Sequence, residues 1–213
     1  EEAAGTPFVG ASGHLLNWLL KTVGINREEC SVTNVFLCRP PQNKVEWFFR
    51  GKREAAGELG PYTSLGGKYL KPEWWSEVER VREEVARVNP KVVIALGGSA
   101  MWALTEKNKI TDWRGTLLRT VNGYDLFPTF HPSAVLRSFS LRPTILADLD
   151  RARRHSENPI LLEGKRICVP ESRRDLDNLF NHLNAFDLIA GDVETEAREI
   201  TCISLAPSAT LSY

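Results

Sequence analysis

The sequence has few cysteines, and no two of them stand at the C-x-x-C spacing of a zinc site. The four are far apart, at Cys30, Cys38, Cys168 and Cys202. No secretory signal precedes them, and no apolar run is long enough to span a membrane. These absences argue against a secreted disulfide scaffold and a membrane partner, and they predict free thiols in a reducing cytoplasm.

The sequence also lacks an excess of charge of either sign. Its 27 basic and 27 acidic residues give a net charge of zero, whereas a compact nucleic-acid-binding domain is often basic. A local basic face is nevertheless enough to hold phosphates. The stretch 137–154 offers five arginines against Asp148 and Asp150, and it reads equally well as an ordinary solvated helix surface.

The length and the first residue of the sequence limit its possible domain organisation. A chain of 213 residues is long enough for one large domain, or for one full domain and part of another. The first residue is Glu1 and not Met, so we expect the chain to begin inside a longer protein. No low-complexity segment or internal repeat interrupts it.

Helical and strand patterns alternate through residue 155. The apolar spacing predicts helices over 14–23, 72–88, 99–105 and 143–155. Runs rich in β-branched or apolar residues predict strands over 31–37, 91–96, 116–121 and 125–130. Residues 42–71, with scattered Gly and Pro, are predicted to be loop. This order predicts an α/β domain of three layers, with helices on both faces of a mostly parallel sheet.

A second unit is predicted after a polar linker at 156–163. Its pattern is a strand at 166–169, a helix at 173–183 and strands at 187–192 and 200–206. The domain boundaries are therefore predicted as 1–155 and 164–213, and the second unit is too short to be complete.

Two polar positions of the first domain, Asn34 and His131, stand at predicted strand ends, where α/β sheets build their sites, and Phe8 stands in a segment that leads into a predicted helix. Phe8 offers a surface on which a flipped base can stack, and Asn34 offers both donor and acceptor to a base edge. His131 can donate a hydrogen bond to the negative charge on a departing base. Val135 and Leu136 could fill the gap left in the base stack.

Taken singly, each of these residues has an ordinary structural explanation. Phe8 beside Val9 is more often a core residue, and Asn34 at a strand end is more often a turn or cap. A lone His-Pro pair, as at His131, carries little weight. The inference depends on all three occurring in order on suitable elements.

The first domain resembles the family 4 type of uracil-DNA glycosylase over about 150 residues. The matching stretches are GTPFVGASGHLL (5–16), TNVFLCRPP (33–41), NPKVVIALGGSAMWAL (89–104), WRGTL (113–117) and PTFHPSAVLR (128–137). The resemblance implies that Phe8 stacks on uracil, that Asn34 reads its edge and that His131 is catalytic. It places Arg39 and Arg137 near the DNA backbone, and we count Ser133 and Leu136 among the substrate-binding residues.

The sequence departs from this family in two ways. The family's Gly-Glu-Ala-Pro-Gly loop, which contributes to the uracil pocket and positions the attacking water, is expected just before Glu1. The family also holds an iron–sulfur cluster with cysteines, of which Cys38 matches one. Another is expected in the helix before KVVIAL, where Glu77 or the nearby Trp75 stands instead. We therefore expect no iron–sulfur cluster and no other cofactor in the glycosylase part.

The second unit carries the motif Asp192-Val193-Glu194-Thr195. Because side chains alternate along a strand, Asp192 and Glu194 share one face and could hold a divalent metal, Mg²⁺, for phosphodiester cleavage. The context resembles the first motif of the 3'-5' exonuclease of family A DNA polymerases, and the domain order resembles some phage polymerases. The resemblance implies a ribonuclease H-like fold that is inactive by itself, a linked polymerase domain and a bacterial or phage-infected cell.

Two functions follow from this reading. The first is an enzyme that flips uracil out of DNA and excises it, within a replication or repair polypeptide. The second is a binding module of the same fold, which grips DNA or senses uracil without cleaving it. The combination of Phe8, Asn34 and His131 favours the enzyme, whereas neutral charge and the changed cysteine set favour the module.

Overall fold

Helices alternate with short strands through residues 7–159. The structure is a computed structural model that describes residues 7–55, 57–159, 166–196, 199–206 and 211–212. The helices of the first part are α1 (Ala11–Thr22), α2 (Trp75–Val88), α3 (Gly98–Thr105), α4 (Ile110–Trp113), α5 (Pro132–Arg137) and α6 (Arg142–Glu157). Its strands are β1 (Phe49–Arg50), β2 (Tyr69–Leu70), β3 (Val93–Leu96), β4 (Leu118–Arg119) and β5 (Asp125–Thr129).

The predicted helices form where the apolar spacing placed them. Leu16, Leu19 and Leu20 of α1 are buried on one face, as expected for side chains three and four residues apart. In α2 the buried residues are Val78 and Val81, and a 3-10 turn at Pro72–Trp74 precedes the helix.

The central sheet is mixed, with β5 between β3 and β4. Strand β5 runs parallel to β3 and antiparallel to β4. The antiparallel pair follows from the short connection, because Thr120 and Tyr124 close a tight turn through an N–H···O bond of 2.8 Å. A parallel pair would need a crossover of a dozen or more residues. The prediction of an α/β sheet is confirmed, and the sheet has one parallel and one antiparallel pairing among the described residues.

Helices cover both faces of this sheet, which confirms the three layers. Ala95 packs into a core built from α2 and α3. Its neighbours Ile94 and Leu96 pack into a second core with residues of α1, α5 and α6. Adjacent residues of β3 therefore serve opposite cores, as the alternation of a strand requires.

Two predictions for residues 31–71 are wrong. The described residues 31–37 form no strand, because charged side chains of α2 take backbone hydrogen bonds that a neighbouring strand would otherwise take. The predicted loop 42–71 contains the antiparallel pair β1–β2, in which Phe49 is opposite Leu70. Both residues are buried, so the pair belongs to the core beneath α3.

The chain divides into two compact units after Pro159. Helix α6 extends to Glu157, into the predicted linker, whose positions 160–163 lie outside the described residues. No helix in the described ranges is long and apolar enough to cross a membrane.

The second unit combines one amphipathic helix with short strands. These are β6 (Arg166–Ile167), α7 (Arg173–Leu183), β7 (Ala190–Glu196), β8 (Glu199–Ala206) and β9 (Leu211–Ser212). Helix α7 matches its predicted bounds and begins with a capping box between Ser172 and Asp175. Strand β7 pairs antiparallel with β8 and runs beyond its predicted end at 192.

Candidate active site

His131 lies where two parallel strands end. It follows β5 and caps the N-terminus of α5. Gly97, the residue after β3, donates its N–H to the carbonyl of Thr129 at 2.8 Å. A Cβ atom at Gly97 would lie 3.2 Å from the Cβ of His131, so the two strand ends meet closely here. This confirms that His131 lies at the carboxyl edge of the sheet, where α/β proteins build their sites.

The contacts of His131 determine which ring nitrogen carries the proton. Its Nδ1 accepts the backbone N–H of Ser133 at 3.1 Å and lies 2.8 Å from the hydroxyl of the same residue. Arg137 donates to that hydroxyl oxygen at 3.4 Å, which leaves the hydroxyl proton for Nδ1. Since a neutral imidazole has one acceptor and one donor nitrogen, Nε2 is the donor. The ring can therefore donate one hydrogen bond without being charged.

Phe8 lies against this histidine. The two rings are stacked, with centroids 5.5 Å apart and planes inclined by 27°. Phe8 holds this position with a backbone φ of 62°, a left-handed conformation that is uncommon for a bulky residue. Two of the three predicted site residues are thus brought together, and the stacking of Phe8 on a base stays a prediction.

Asn34 lies on the irregular segment 33–37 and not at the end of a strand. Its carbonyl oxygen accepts a hydrogen bond of 2.7 Å from Arg80 of α2. The predicted reason for placing Asn34 in the site is therefore wrong, because no strand ends there. That its amide faces uracil stays a prediction.

The short helix α5 presents one apolar side chain to solvent and buries another. Leu136 is 54% exposed, which suits a side chain that enters a base stack. Val135 is buried in the core of α1, α5 and α6, so the expectation that it also acts as a wedge is wrong. Beyond α5, Phe139 is 70% exposed, and the guanidinium of Arg142 lies 5.0 Å from its ring centre.

The predicted basic face of α6 is largely neutralised by its own acidic residues. Arg153 pairs with Asp150 at 2.9 Å and with Glu157 at 2.8 Å, and Arg154 also pairs with Asp150. Asp148 belongs to the interior, with 1% of its surface exposed. The interpretation as an ordinary solvated helix surface therefore fits α6 better.

The remaining predicted phosphate contact, Arg39, lies on an exposed turn. Its Nε donates to the side-chain oxygen of Asn43 at 2.6 Å. Both Gln42 and Asn43 adopt left-handed backbone conformations, which shape the turn after Pro40-Pro41. Contact of Arg39 and Arg137 with DNA stays a prediction.

Comparison with known proteins decides the family. Residues 1–150 match the family described as the uracil DNA glycosylase superfamily. The chain belongs to this superfamily. A type-4 uracil-DNA glycosylase of Thermotoga maritima is 34% identical over 157 residues, which cover 72% of this chain and 70% of that protein. A second type-4 uracil-DNA glycosylase, from Pyrobaculum aerophilum, is 32% identical over 157 residues, which cover 70% of this chain and 68% of that protein. The predicted enzyme class, a DNA glycosylase, is confirmed.

Helix α2, where the resemblance places one cysteine of a four-thiolate cluster, contains no cysteine. Residues 1–159 contain only Cys30 and Cys38. Cys30 donates its thiol to the carbonyl of Asn26 at 3.3 Å, and burial raises the pKa of that thiol, which disfavours the thiolate that binds metal. At the corner beside Cys38, a carboxylate oxygen of Glu77 accepts the N–H of Leu37 at 3.3 Å. No cluster of three or more metal-binding side chains occurs among the residues described.

The sequence motif WRGTL has a structural role that its residue types alone did not reveal. Arg114 donates to both carboxylate oxygens of the buried Asp148, one of them at 2.9 Å from its Nε. Thr129 donates its hydroxyl to the same carboxylate at 2.7 Å. Gly115, at φ 70°, has no room for a side chain beside Asp148. The motif therefore anchors α6 to the end of β5, close to His131.

In the second unit, Asp192 and Glu194 lie on one face of β7, as predicted. They stand opposite Ser204 and Cys202 of β8, and both are exposed. They lie in the middle of the strand and not at its end, because β7 continues to Glu196. Two carboxylates alone are a small ligand set for Mg²⁺, which prefers six oxygen ligands.

Proposed function

We propose that this chain excises uracil from DNA by hydrolysing the N-glycosidic bond of a flipped nucleotide. The observation that carries the proposal is the hydrogen bonding of His131, whose Nδ1 accepts from Ser133, so that Nε2 is the nitrogen that donates. The type-4 uracil-DNA glycosylases among its relatives supply the substrate class.

Cleavage breaks the bond between the sugar C1′ and the base N1, and the electron pair leaves with the base. The uracil ring spreads this negative charge onto its carbonyl oxygens. A hydrogen bond from Nε2 of His131 strengthens as the charge develops, so it stabilises the transition state more than the bound substrate. Water then adds to C1′, and the proton that it loses neutralises the departing uracil anion, so the products are free uracil and an abasic sugar. No described residue is assigned the role of positioning this water.

The remaining residues recognise the flipped nucleotide. The Asn34 amide pairs with the polar edge of uracil, because it offers a donor and an acceptor together. Phe8 stacks on the base, and Leu136 fills the gap in the duplex. Arg39 and Arg137 contact phosphates, and Ser133 holds both His131 and Arg137 by its hydroxyl.

The decisive experiment is single-turnover excision from a uracil-containing oligonucleotide, beside a titration of binding to the same DNA. We expect the wild type to excise uracil and His131→Ala to slow the chemical step by about 10²–10³-fold with little loss of affinity. If neither protein excises uracil and both bind DNA equally well, the chain is a binding module. If His131→Ala excises as fast as wild type, His131 is not catalytic.

We further propose that the glycosylase unit works without a metal cofactor. The support is the absence of cysteine from α2, where the resemblance places one ligand of the cluster, and the carboxylate of Glu77 on that helix, which accepts the N–H of Leu37. Purified protein should then lack broad visible absorption. Stoichiometric iron and acid-labile sulfide in the preparation would contradict this.

For the second unit we propose a narrower role, the metal-binding start of a 3'-5' exonuclease linked to a polymerase. The support is the shared face of Asp192 and Glu194 on β7 and the antiparallel partner β8. These two carboxylates would hold Mg²⁺ only together with further ligands, so the chain alone should not degrade DNA. Digestion of a labelled single strand in Mg²⁺ that disappears in Asp192→Ala would contradict that expectation.

A further inference from the structure

Two charged side chains of α2 hold the segment that carries Asn34. Nη2 of Arg80 donates to the carbonyl oxygens of Asn34 at 2.7 Å and Val35 at 3.0 Å. The carboxylate of Glu77 accepts the N–H of Leu37 at 3.3 Å. We propose that Arg80 and Glu77 are positioning residues that fix Asn34 for uracil recognition. The inference depends on the proposed function, since it assigns Asn34 to the base.

Arg80 is itself held in place on three sides. Its Nε pairs with Glu77 at 3.0 Å, and its Nη1 pairs with Glu84 at 2.7 Å. With Nη2 on the backbone of segment 33–37, all three nitrogens of the guanidinium are engaged. The two glutamates lie three residues before and four residues after Arg80, where helical side chains meet. The two glutamates therefore fix the orientation of the guanidinium, and its Nη2 in turn holds the carbonyl groups of Asn34 and Val35.

A further contact ties the start of the segment to the same group. Burial raises the pKa of Glu84, but hydrogen bonds from Thr33 and Arg80 outweigh it and leave the pKa below its ordinary value. Glu84 consequently stays ionised as a partner of Arg80. At the other end, Phe36 is buried and stacks on Phe48, with ring centroids 3.8 Å apart.

These contacts fix segment 33–37 in place, as pairing with a neighbouring strand or binding to an iron–sulfur cluster would otherwise do. Backbone groups of an irregular segment need hydrogen-bond partners, and here α2 provides them through charged side chains. Four thiolates on one cluster would cross-link the chain around Cys38 to α2. Glu77 stands at or near the expected position of one such thiolate and accepts the N–H of Leu37, the residue before Cys38, so a hydrogen bond connects α2 to this part of the chain.

The same helix offers a matched control in Arg82. Arg82 donates to the carbonyl of Ala103 at 2.8 Å and pairs with Glu106 at 3.1 Å, so it holds α3 rather than segment 33–37. The two arginine side chains are similarly covered, with 21% and 17% of their surfaces exposed. Arg80→Met and Arg82→Met thus remove equivalent groups from one helix and differ in which segment they release.

The first measurement is backbone hydrogen exchange in the whole chain, followed by mass spectrometry. Arg80→Met releases the Glu77 carboxylate that accepts the Leu37 N–H, so exchange in peptides that cover 33–37 should rise by about tenfold or more. Arg82→Met should leave these peptides unchanged and loosen 103–106. Equal exchange of 33–37 in wild type and Arg80→Met would overturn the proposal. This measurement needs no enzymatic activity. It therefore tests whether Arg80 holds segment 33–37 even if the wild type excises no uracil.

The second measurement separates positioning from general stability. Arg80→Met should lower the single-turnover excision rate at saturating DNA by about tenfold to a hundredfold, because misplacing a recognition group reduces the productive fraction. Arg80→Lys keeps the charge but not the fork of donors, so it should restore only part of that rate. If Arg80→Met does not fold, the milder variant Glu77→Gln takes its place in both measurements. Full activity in both Arg80→Lys and Glu77→Gln, with unchanged exchange, would also overturn the proposal.

Discussion

The backbone of Phe8 lies so close to Gly13 of α1 that a side chain at Gly13 would overlap it. A Cβ atom built at Gly13 would collide with the carbonyl group of Phe8. At this close approach Phe8 has a left-handed backbone conformation, with φ 62°, and its ring stacks on His131. The absent side chain at Gly13 is therefore part of what builds the site.

Gly13→Ala should displace Phe8 and impair excision. We expect the single-turnover rate to fall by about a hundredfold, since a shift near 1 Å in a positioned group has that effect. The control is Gly10→Ala in the same motif, where a Cβ meets no atom within 4 Å and φ is −96°. Equal rates for the two variants would mean that Phe8 does not position the reacting groups.

Ser133→Ala should reduce the rate less than loss of His131 does. The variant removes the hydroxyl near Nδ1 but keeps the backbone N–H that also binds this nitrogen. One hydrogen bond contributes roughly 0.5–1.5 kcal/mol, so we expect a rate about 2–10-fold lower. Ser140→Ala, which removes an exposed hydroxyl bonded to Ser138, should leave the single-turnover rate unchanged. A loss as large as that of His131→Ala would indicate that Ser133 contacts the substrate itself.

Asn34→Asp should weaken the preference for uracil. The wild-type amide pairs a donor and an acceptor with the uracil edge, and the carboxylate loses the donor and places negative charge beside a carbonyl oxygen. A buried unpaired group costs roughly 1–3 kcal/mol, or about tenfold to a hundredfold in rate. A carboxylate accepts instead from the amino group of cytosine. The measurement is the ratio of excision rates for uracil and cytosine opposite guanine, and an unchanged ratio would remove Asn34 from base recognition.

The sequence predicted best those parts of the fold that depend on local pattern. The helical spacing of 173–183 and the continuous apolar run KVVIAL are both visible in the sequence itself, so α7 and β3 appear where expected. The apolar run 31–37 misled the prediction because its hydrogen-bond partners are side chains of α2, more than 40 positions away in sequence for Arg80 and Val35. Periodicity carries no information on such distant partners.

The candidate site shows the same division. His131 was placed correctly because it follows a strand whose pattern is plain, whereas Asn34 was placed at the end of a strand that does not form. Arg80 was missed, since an arginine on a helix surface looks like an ordinary solvated residue. The one available sequence signal was its spacing from Glu77 and Glu84, which is typical of helix ion pairs and points to no distant partner.

Arg114 should stabilise the glycosylase unit far more than Arg119 does, although both pair with an aspartate. The partner of Arg114 is Asp148, which is 1% exposed and also accepts from Thr129. Arg114→Met leaves this carboxylate buried without its cation, and breaking such a pair costs about 3–5 kcal/mol. Arg119 is 62% exposed and lies 3.5 Å from Asp125, so Arg119→Met should cost no more than about 1 kcal/mol.

The measurement is urea unfolding of both variants followed by tryptophan fluorescence. All six tryptophans lie in the first 113 residues, so the signal reports on the glycosylase unit and not on the second unit. A similar midpoint for both variants would show that Asp148 finds other partners. Because Thr129 stands two positions before His131, we also expect Arg114→Met to lower excision under conditions where the protein remains folded. Full activity in folded Arg114→Met would confine the Arg114–Asp148 pair to stability alone.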